Sequence, residues 1–179
     1  MMHRPIYRRT ENKMLLPDTS YRGPRSTWKT RYFIDTEFTD FRLETRELIS
    51  IAIVSEDGRE FYGERSDFDR SLCTAFVSDV VLPQLGRVPC RSMPLTKLRE
   101  ELLAWLRAIP IKPKPVLSYD SDCDYQLIFQ LLGEPLPSGW KHENVFLKIN
   151  PIRFAEYIAA NGGEHHALQD ARANAFAFI

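Results

Sequence analysis

Two acidic residues interrupt a stretch that otherwise has the apolar character of a buried β-strand. The stretch is RYFIDTEF, residues 31–38, and its acidic residues are Asp35 and Glu37. Because side chains alternate between the two faces of a strand, residues two positions apart point to the same face. Ionised carboxylates held side by side repel each other, unless one binds a proton or a cation lies between them. The sequence therefore predicts a strand whose acidic face lines a site.

The rest of the chain has the pattern of a mixed α/β fold. Strands are indicated by short apolar runs bounded by turn residues, and helices by apolar residues spaced three and four apart. The predicted elements are a strand at 31–38, two strands within 46–66 joined by a hairpin, helices at 69–82 and 94–109, a strand at 114–120, a helix at 122–132, a strand at 144–149, a helix at 151–160 and a closing helix within 165–178. This order predicts a mixed sheet with helices on both faces.

The length of 179 residues predicts one folded domain, with a basic N-terminal extension before it. The whole chain has no net charge, yet residues 1–31 carry eight Lys or Arg against two Asp or Glu. Since residues 1–30 have no sustained periodicity, we predict a flexible extension there and a folded domain at 31–179. A basic arm on an acidic domain is compatible with binding to an anionic polymer. The alternative is a solvated arm that has no partner.

The composition also argues against several classes of protein. No apolar run approaches the roughly 18–20 residues of a membrane span, and the first residues lack the apolar segment of a signal peptide. The three cysteines show no CxxC spacing, which predicts reduced thiols and argues against a zinc site. We therefore expect a cytoplasmic protein.

Two further acidic clusters lie where α/β folds commonly build their sites. The sequence YDSDCDYQ supplies Asp120, Asp122 and Asp124 between a strand and a helix, and HHALQDA supplies Asp170 near a helix start. If these residues converge on the first acidic pair, divalent cations are needed to hold the carboxylates together. Ligands that are all oxygen favour Mg²⁺ or Mn²⁺ over Zn²⁺.

Together, these residues resemble the three motifs of the DEDDh 3′–5′ exonuclease family, in the family's order. The motifs are D-x-E in FIDTEF, an aspartate on a helix in mid-chain after SYDSDC, and H-x₄-D in HHALQDA. The sequences DTEF and HHALQDAR are most similar to a small bacterial and phage branch that contains exoribonucleases. The resemblance covers residues 31–179 and implies an RNase H-like fold, with a mixed five-stranded sheet and helices on both faces.

The resemblance also implies a role for each motif residue. The implied ligands of two Mg²⁺ or Mn²⁺ ions are Asp35, Glu37, Asp124 and Asp170. Asp124 is preferred because DYQLIFQLL gives it the helix found in the family, and Asp122 and Asp120 are the alternatives. His165, which has the four-residue gap to Asp170 that His166 lacks, would be the general base in a mobile loop before the last helix.

The implied activity is two-metal hydrolysis of terminal phosphodiesters, which releases 5′-mononucleotides from 3′ ends of single-stranded RNA or DNA, with RNA favoured. Thr36 and Phe38, which flank Glu37, are candidate contacts to nucleic acid, and an aromatic ring at 38 suits base stacking. The alternatives are a catalytically weak nucleic-acid-binding protein of the same fold and a structure-specific endonuclease. The family also suggests a homodimer.

Removal of residues 1–30 tests the predicted role of the basic arm. If the arm contacts phosphates, the truncated chain binds single-stranded oligonucleotides more weakly at low salt, and the difference shrinks as salt rises, because cationic contacts release counterions. Fluorescence anisotropy over a salt series measures this dependence. Equal affinities of the full-length and truncated chains at every salt concentration would rule the role out.

Overall fold

The computed structural model describes residues 28–179, in which a central sheet is covered by helices on both faces. The strands are β1 (Lys29–Phe38), β2 (Leu48–Ser55), β3 (Glu60–Arg65), β4 (Ser92–Met93), β5 (Lys114–Tyr119) and β6 (Lys141–Asn144). The helices are α1 (Leu95–Ala108), α2 (Asp122–Leu132), α3 (Pro151–Asn161) and α4 (Ala167–Ala177). None of the helices in this part of the chain has the length and apolarity needed to span a lipid bilayer.

The sheet has the order β4-β3-β2-β1-β5-β6, which places β1 near its centre. β1 pairs antiparallel with β2 and parallel with β5, so the predicted mixed sheet is confirmed. The described residues contain six strands rather than the predicted five. The additional strand is β4, which pairs only with Glu64 and Arg65 at the edge of the sheet. Two residues are too few to produce a periodic signal in the sequence.

Side chains of β1 alternate between two apolar layers, as its sequence pattern predicts. Tyr32 and Ile34 pack into the layer beneath α1 and α2, where Leu98, Leu102 and Ile128 are fully buried. The opposite face of the sheet carries α4, which packs on β1 and β2, and α3 packs against α4. Asp35 and Glu37 belong to this opposite face, because they alternate with the residues that enter the first layer.

The ends of α2 follow from its flanking residues. Ser121 is the N-cap, and its hydroxyl accepts a hydrogen bond from the Cys123 N–H at 3.1 Å. Gly133 ends the helix in the left-handed region, with φ of 62°, which glycine adopts without steric cost. The predicted helix at 122–132 is confirmed, and its first turn holds Asp124.

The structure differs from the predicted elements at 144–149, where β6 occupies Lys141–Asn144 and a 3₁₀ turn follows at Phe146–Lys148. Two of the apolar residues that suggested a strand are exposed, Phe146 at 65% and Leu147 at 93%, whereas Val145 is buried. The strand forms instead at a more polar stretch, since that stretch lies in register with β5. Pairing thus overrides local propensity here.

The predicted helix at 69–82 is also wrong, because this region contains three short helical turns. They are 3₁₀ turns at Arg70–Leu72 and Leu82–Gln84, with a π-helical turn at Val77–Val81 between them. The backbone is extended at Cys73, which separates the first turn from the other two, and Pro83 in the last turn lacks an N–H group for an α-helical bond. The closing helix begins at Ala167 rather than at 165.

The predicted N-terminal extension falls almost entirely outside the described residues. Its last residues, Lys29 and Thr30, belong to β1, which begins two positions before the predicted strand. A truncation that tests the basic arm should therefore end at residue 27, so that the central strand stays intact.

Gly63 allows α1 to pack closely on β3. A Cβ atom at this position would lie 2.3 Å from Cδ1 of Leu98, which is fully buried. We expect Gly63→Ala to lower the free energy of unfolding by about 1–3 kcal/mol through overpacking. Urea unfolding measures the change, with Ser92→Ala at the exposed start of β4 as the control. Equal midpoints for Gly63→Ala and wild type would contradict the close packing.

Candidate active site

Asp35 and Glu37 project from the same face of β1, toward α4. Asp35 pairs with Ala52 and Glu37 with Ser50 on the neighbouring strand β2. The ladder is irregular after Glu37, where the register shifts before Phe38. A bulge at a strand end redirects the following side chain, and such irregularities are common beside functional sites.

The first carboxylate group, which we call group 1, consists of Asp35, Glu37 and Asp170. One carboxylate oxygen of each residue lies within 4.8 Å of the others. Asp170 is buried in the first turn of α4, and its Oδ2 accepts a hydrogen bond from the His165 N–H at 2.8 Å. The most distant of the predicted ligands along the chain thus lies close to the first pair.

The second group, group 2, consists of Asp35, Asp120 and Asp124, again within 4.8 Å of one another. Asp120 directly follows β5, which runs parallel to β1, and Asp124 is buried in the first turn of α2. Asp35 belongs to both groups. Four carboxylates, from β1, the end of β5, α2 and α4, therefore lie close to Asp35 of the central strand.

The three acidic candidates of YDSDCDYQ separate clearly in the structure. Asp124, the preferred residue, and Asp120 both belong to group 2. Asp122 is exposed, and its Oδ1 accepts a hydrogen bond from the Asn144 side chain at 3.3 Å instead. The sequence analysis gave Asp120 only as an alternative to Asp124, but the structure places both residues in group 2. The feature that could have indicated this is the position of Asp120 directly after β5, which runs parallel to β1.

Thr36 lies on the other face of β1 from Asp35 and is only 5% exposed. Its N–H and its hydroxyl both donate to Oδ1 of Asp124, at 3.0 and 2.6 Å. These bonds hold the carboxylate in place from behind. The sequence predicted that Thr36 contacts nucleic acid. Its side chain is instead buried and bonded to Asp124, which leaves it unavailable for such a contact.

Burial raises the pKa of every carboxyl in the two groups, and neighbouring charges add to it. Desolvation, followed by the charges of Asp124 and Glu37, raises the pKa of Asp35 well above its usual value. Burial raises the pKa of Glu37 to about 8, with the charge of Asp170 as the next cause. It raises the pKa of Asp124 and of Asp170 to about 7, and it also raises the pKa of Asp120. The five groups cannot all be ionised at neutral pH without a nearby cation.

The donor atoms of these groups fit divalent cations. Among the described residues, Oδ1 of Asp120 and Oδ1 of Asp170 are buried without a hydrogen-bond partner, and each belongs to a different group. Leaving such an oxygen unpaired is costly unless it binds a cation. All donors are carboxylate oxygens, which Mg²⁺ and Mn²⁺ prefer. The arrangement can therefore bind divalent metal, with Asp35 common to both groups.

His165 lies in the turn between α3 and α4, at the position predicted from the motif. Its backbone is held at group 1 by the hydrogen bond to Asp170. Its ring stands edge-on against Phe76, with the centroids 4.9 Å apart and the planes at 89°. His166 is buried instead, and its ring stacks on Tyr62 at 5.1 Å. Of the two histidines, His165 is the less buried, and its backbone is bonded to one of the carboxylates.

Phe38 begins an aromatic corner next to the acidic strand end. Its ring is partly buried against the core and meets the ring of Phe41 edge-on at 5.1 Å. The Arg46 guanidinium lies 5.2 Å from the Phe38 centroid and donates to the Phe41 carbonyl at 2.8 Å. Phe41 is 75% exposed and was not singled out from the sequence, although it is an aromatic residue just past the motif.

Comparison with curated proteins finds a local but close similarity. A stretch of 55 residues is 49% identical to the 3′-5′ exoribonuclease Rv2179c of Mycobacterium tuberculosis strain H37Rv and to the 3′-5′ exoribonuclease MT2234.1 of strain CDC 1551. The stretch makes up 31% of this chain and 32% of each relative, so the match spans about a third of their length. No family model matches the chain.

Solved structures of exonucleases share the fold. Exonuclease I of Methylocaldum szegediense has a TM-score of 0.52, and Escherichia coli exonuclease I in complex with a dA16 oligonucleotide has 0.51. Each is 13% identical, and the alignments cover 82% of this chain but 38% and 39% of those proteins. At this level of identity the similarity shows a shared fold, which agrees with the fold that the motifs predicted. The relatives and the fold both agree with the resemblance to exonucleases.

The raised carboxyl pKa values predict an unusual pH dependence of stability. Unfolded carboxyls lose their protons near pH 4, whereas the folded groups hold theirs up to about pH 7 or 8. Between these values the unfolded chain binds fewer protons, so stability in EDTA falls as the pH rises from about 5 to about 8. Thermal unfolding measures this, and Mg²⁺ should raise Tm more at pH 8 than at pH 5.

Asp35→Asn should weaken the fall of Tm with pH in EDTA and the pH dependence of the Mg²⁺ effect on Tm, because it removes the carboxylate shared by the two groups. Glu156→Gln, at an exposed position on α3, should leave them unchanged. A wild-type Tm in EDTA that rises from pH 5 to pH 8 would contradict the repulsion.

Proposed function

We propose that this chain is a metal-dependent 3′–5′ exonuclease that hydrolyses terminal phosphodiesters of single-stranded nucleic acid, RNA in preference, to 5′-mononucleotides. The observation that carries the proposal is the convergence of five carboxylates in two groups that share Asp35. A structural role does not account for this cluster, because the carboxyls repel one another and two of their buried oxygens are unpaired.

We assign the carboxylates the task of binding two Mg²⁺ or Mn²⁺ ions. Asp35, Glu37 and Asp170 would hold one ion, and Asp35, Asp120 and Asp124 the other. Bound ions of this kind lower the pKa of a water and stabilise charge on a leaving oxygen. Thr36 would orient Asp124 through its two hydrogen bonds, and so contribute to the site without touching the substrate.

His165 is the proposed general base. Its backbone is fixed at Asp170, and an imidazole suits proton transfer near neutral pH. A ring nitrogen would accept a proton from the attacking water while the water oxygen bonds to phosphorus. The bond from phosphorus to the 3′ oxygen breaks, and that oxygen gains a proton. The products are a 5′-mononucleotide and a strand shortened by one residue.

The aromatic corner at Phe38 supports binding of an unpaired 3′ terminal base. Phe41 is largely exposed beside it, and Arg46 supplies a positive charge next to the rings. Aromatic faces stack on any base, with about 1–3 kcal/mol per stacked base. The preference for RNA rests on the similarity to the mycobacterial 3′-5′ exoribonucleases. The proposal also includes a cytoplasmic location. It includes a homodimer as well, and light scattering tests this by measuring the molar mass in solution.

Digestion of matched 3′-tailed RNA and DNA tests the proposal. Wild type should release mononucleotides with Mg²⁺ or Mn²⁺ and none with EDTA. We expect Asp35→Asn to lower kcat by about 1,000-fold or more, because it removes a donor from both groups, with binding of the tail largely retained. Asp122→Asn, on the same helix as Asp124 but outside the groups, is the matched control and should keep nearly full activity.

A 3′-phosphate block separates the alternatives. An exonuclease stalls on the blocked end, whereas a structure-specific endonuclease cuts the blocked strand internally. Tight binding of the tail without metal-dependent release of nucleotides would instead identify a catalytically weak binding protein.

A further inference from the structure

The buried side chain of Gln84 holds the turn that carries His165. Its Nε2 lies 2.7 Å from the Glu164 carbonyl oxygen and 3.0 Å from the His165 carbonyl oxygen, with the Val80 oxygen farther away at 3.3 Å. An amide nitrogen has two hydrogens, and the two shortest contacts account for both. Gln84 is 8% exposed, so these bonds are formed largely out of water, where an unpaired carbonyl is costly.

The turn itself adopts a backbone conformation that needs support. Gly162, Gly163 and His165 have φ values of 69°, 86° and 63°. Glycine adopts such values freely, whereas a histidine does so uncommonly. His165 is tied on both sides of its Cα, since its N–H donates to Asp170 and its carbonyl accepts from Gln84. Contacts of this kind keep an uncommon conformation in place at functional sites.

Gln84 and Phe76 belong to the same irregular helical segment, residues 75–84, on opposite sides of the π-helical turn Val77–Val81. Phe76 meets the His165 ring edge-on, while Gln84 bonds the main chain of the same residue. An extra residue in a helical turn shifts the side chains that follow it, and such turns are frequent at functional sites. One segment thus contacts both the ring and the backbone of His165.

We propose that Gln84 is a positioning residue, which clamps the main chain of Glu164 and His165 so that the imidazole reaches the substrate by side-chain rotation. This deepens the function proposed above and rests on it. It differs from the mobile loop that the family resemblance implied, because the backbone of His165 is held at both its N–H and its carbonyl. A base held in this way loses less conformational freedom when it meets the attacking water.

Steady-state kinetics of Gln84→Met test the clamp, because methionine keeps the volume and removes both donors. We expect kcat to fall about tenfold with KM changed less than about twofold. In a His165→Ala background the same substitution should lower kcat by less than about twofold, since the residue being positioned is gone. Gln130→Met, at an exposed position of α2, is the control and should leave kcat unchanged.

Equal losses from Gln84→Met in both backgrounds would indicate a general structural effect and overturn the positioning role. Should Gln84→Met fail to fold, Gln84→Asn replaces it, because it keeps a polar amide in the cavity but is one methylene too short to bond both carbonyls. An unchanged kcat for the folded variant would also overturn the role, while the exonuclease proposal would stand.

Hydrogen exchange provides a readout that does not depend on activity. Amides of residues 162–166 should exchange about tenfold faster in Gln84→Met than in wild type or Gln130→Met, because the turn opens more often without its two bonds. Equal exchange rates would overturn the clamp whether or not the enzyme is active. If wild type releases no nucleotides, the exonuclease proposal and the positioning role both fall, and the exchange rates still decide whether the clamp exists.

Discussion

The electrostatic repulsion among five buried or partly buried carboxyls is the constraint on which this structure depends. Each carboxyl is attached to a rigid element or directly follows one, so the groups cannot move apart to relieve the repulsion. The apolar layers under α1 and α2 and under α4 provide the free energy that keeps these elements in place. The free energy of apolar packing thus offsets the cost of an acidic cluster that is unfavourable without cations.

The backbone around the cluster is arranged so that the local polar groups serve particular carboxylates. The N–H and the hydroxyl of Thr36 donate hydrogen bonds to Asp124, and the N–H of His165 donates one to Asp170. Asp124 and Asp170 each lie in the first turn of a helix, where the helix dipole favours negative charge. The hydrogen bonds lower the pKa of both residues, although burial dominates and the net shift is upward. The fold therefore orients the carboxylates while leaving their charge to be neutralised by cations.

Much of this arrangement was predictable from the sequence, because the signals were local. The acidic pair on β1, the hairpin that follows and α2 between Ser121 and Gly133 each depend on side-chain alternation, turn residues or caps within a few positions. The strand predicted at 144–149 was wrong because Phe146 and Leu147 are exposed and the polar stretch just before them pairs with β5. Membership of Asp120 in group 2 and the contact of Gln84 with residue 165 join distant parts of the chain, and neither has a local signature.

The two faces of β1 have a consequence for how sequences of this kind can diverge. Asp35 and Glu37 leave one face of the strand toward α4, while Thr36 leaves the other and bonds Asp124. Insertion or deletion of a single residue within this strand would exchange the faces, so that the hydroxyl would lie where the acids are needed and the acids in the apolar layer. Evolution can therefore replace individual side chains here far more readily than it can alter the strand's length, and gaps in related sequences should fall in the connecting loops instead.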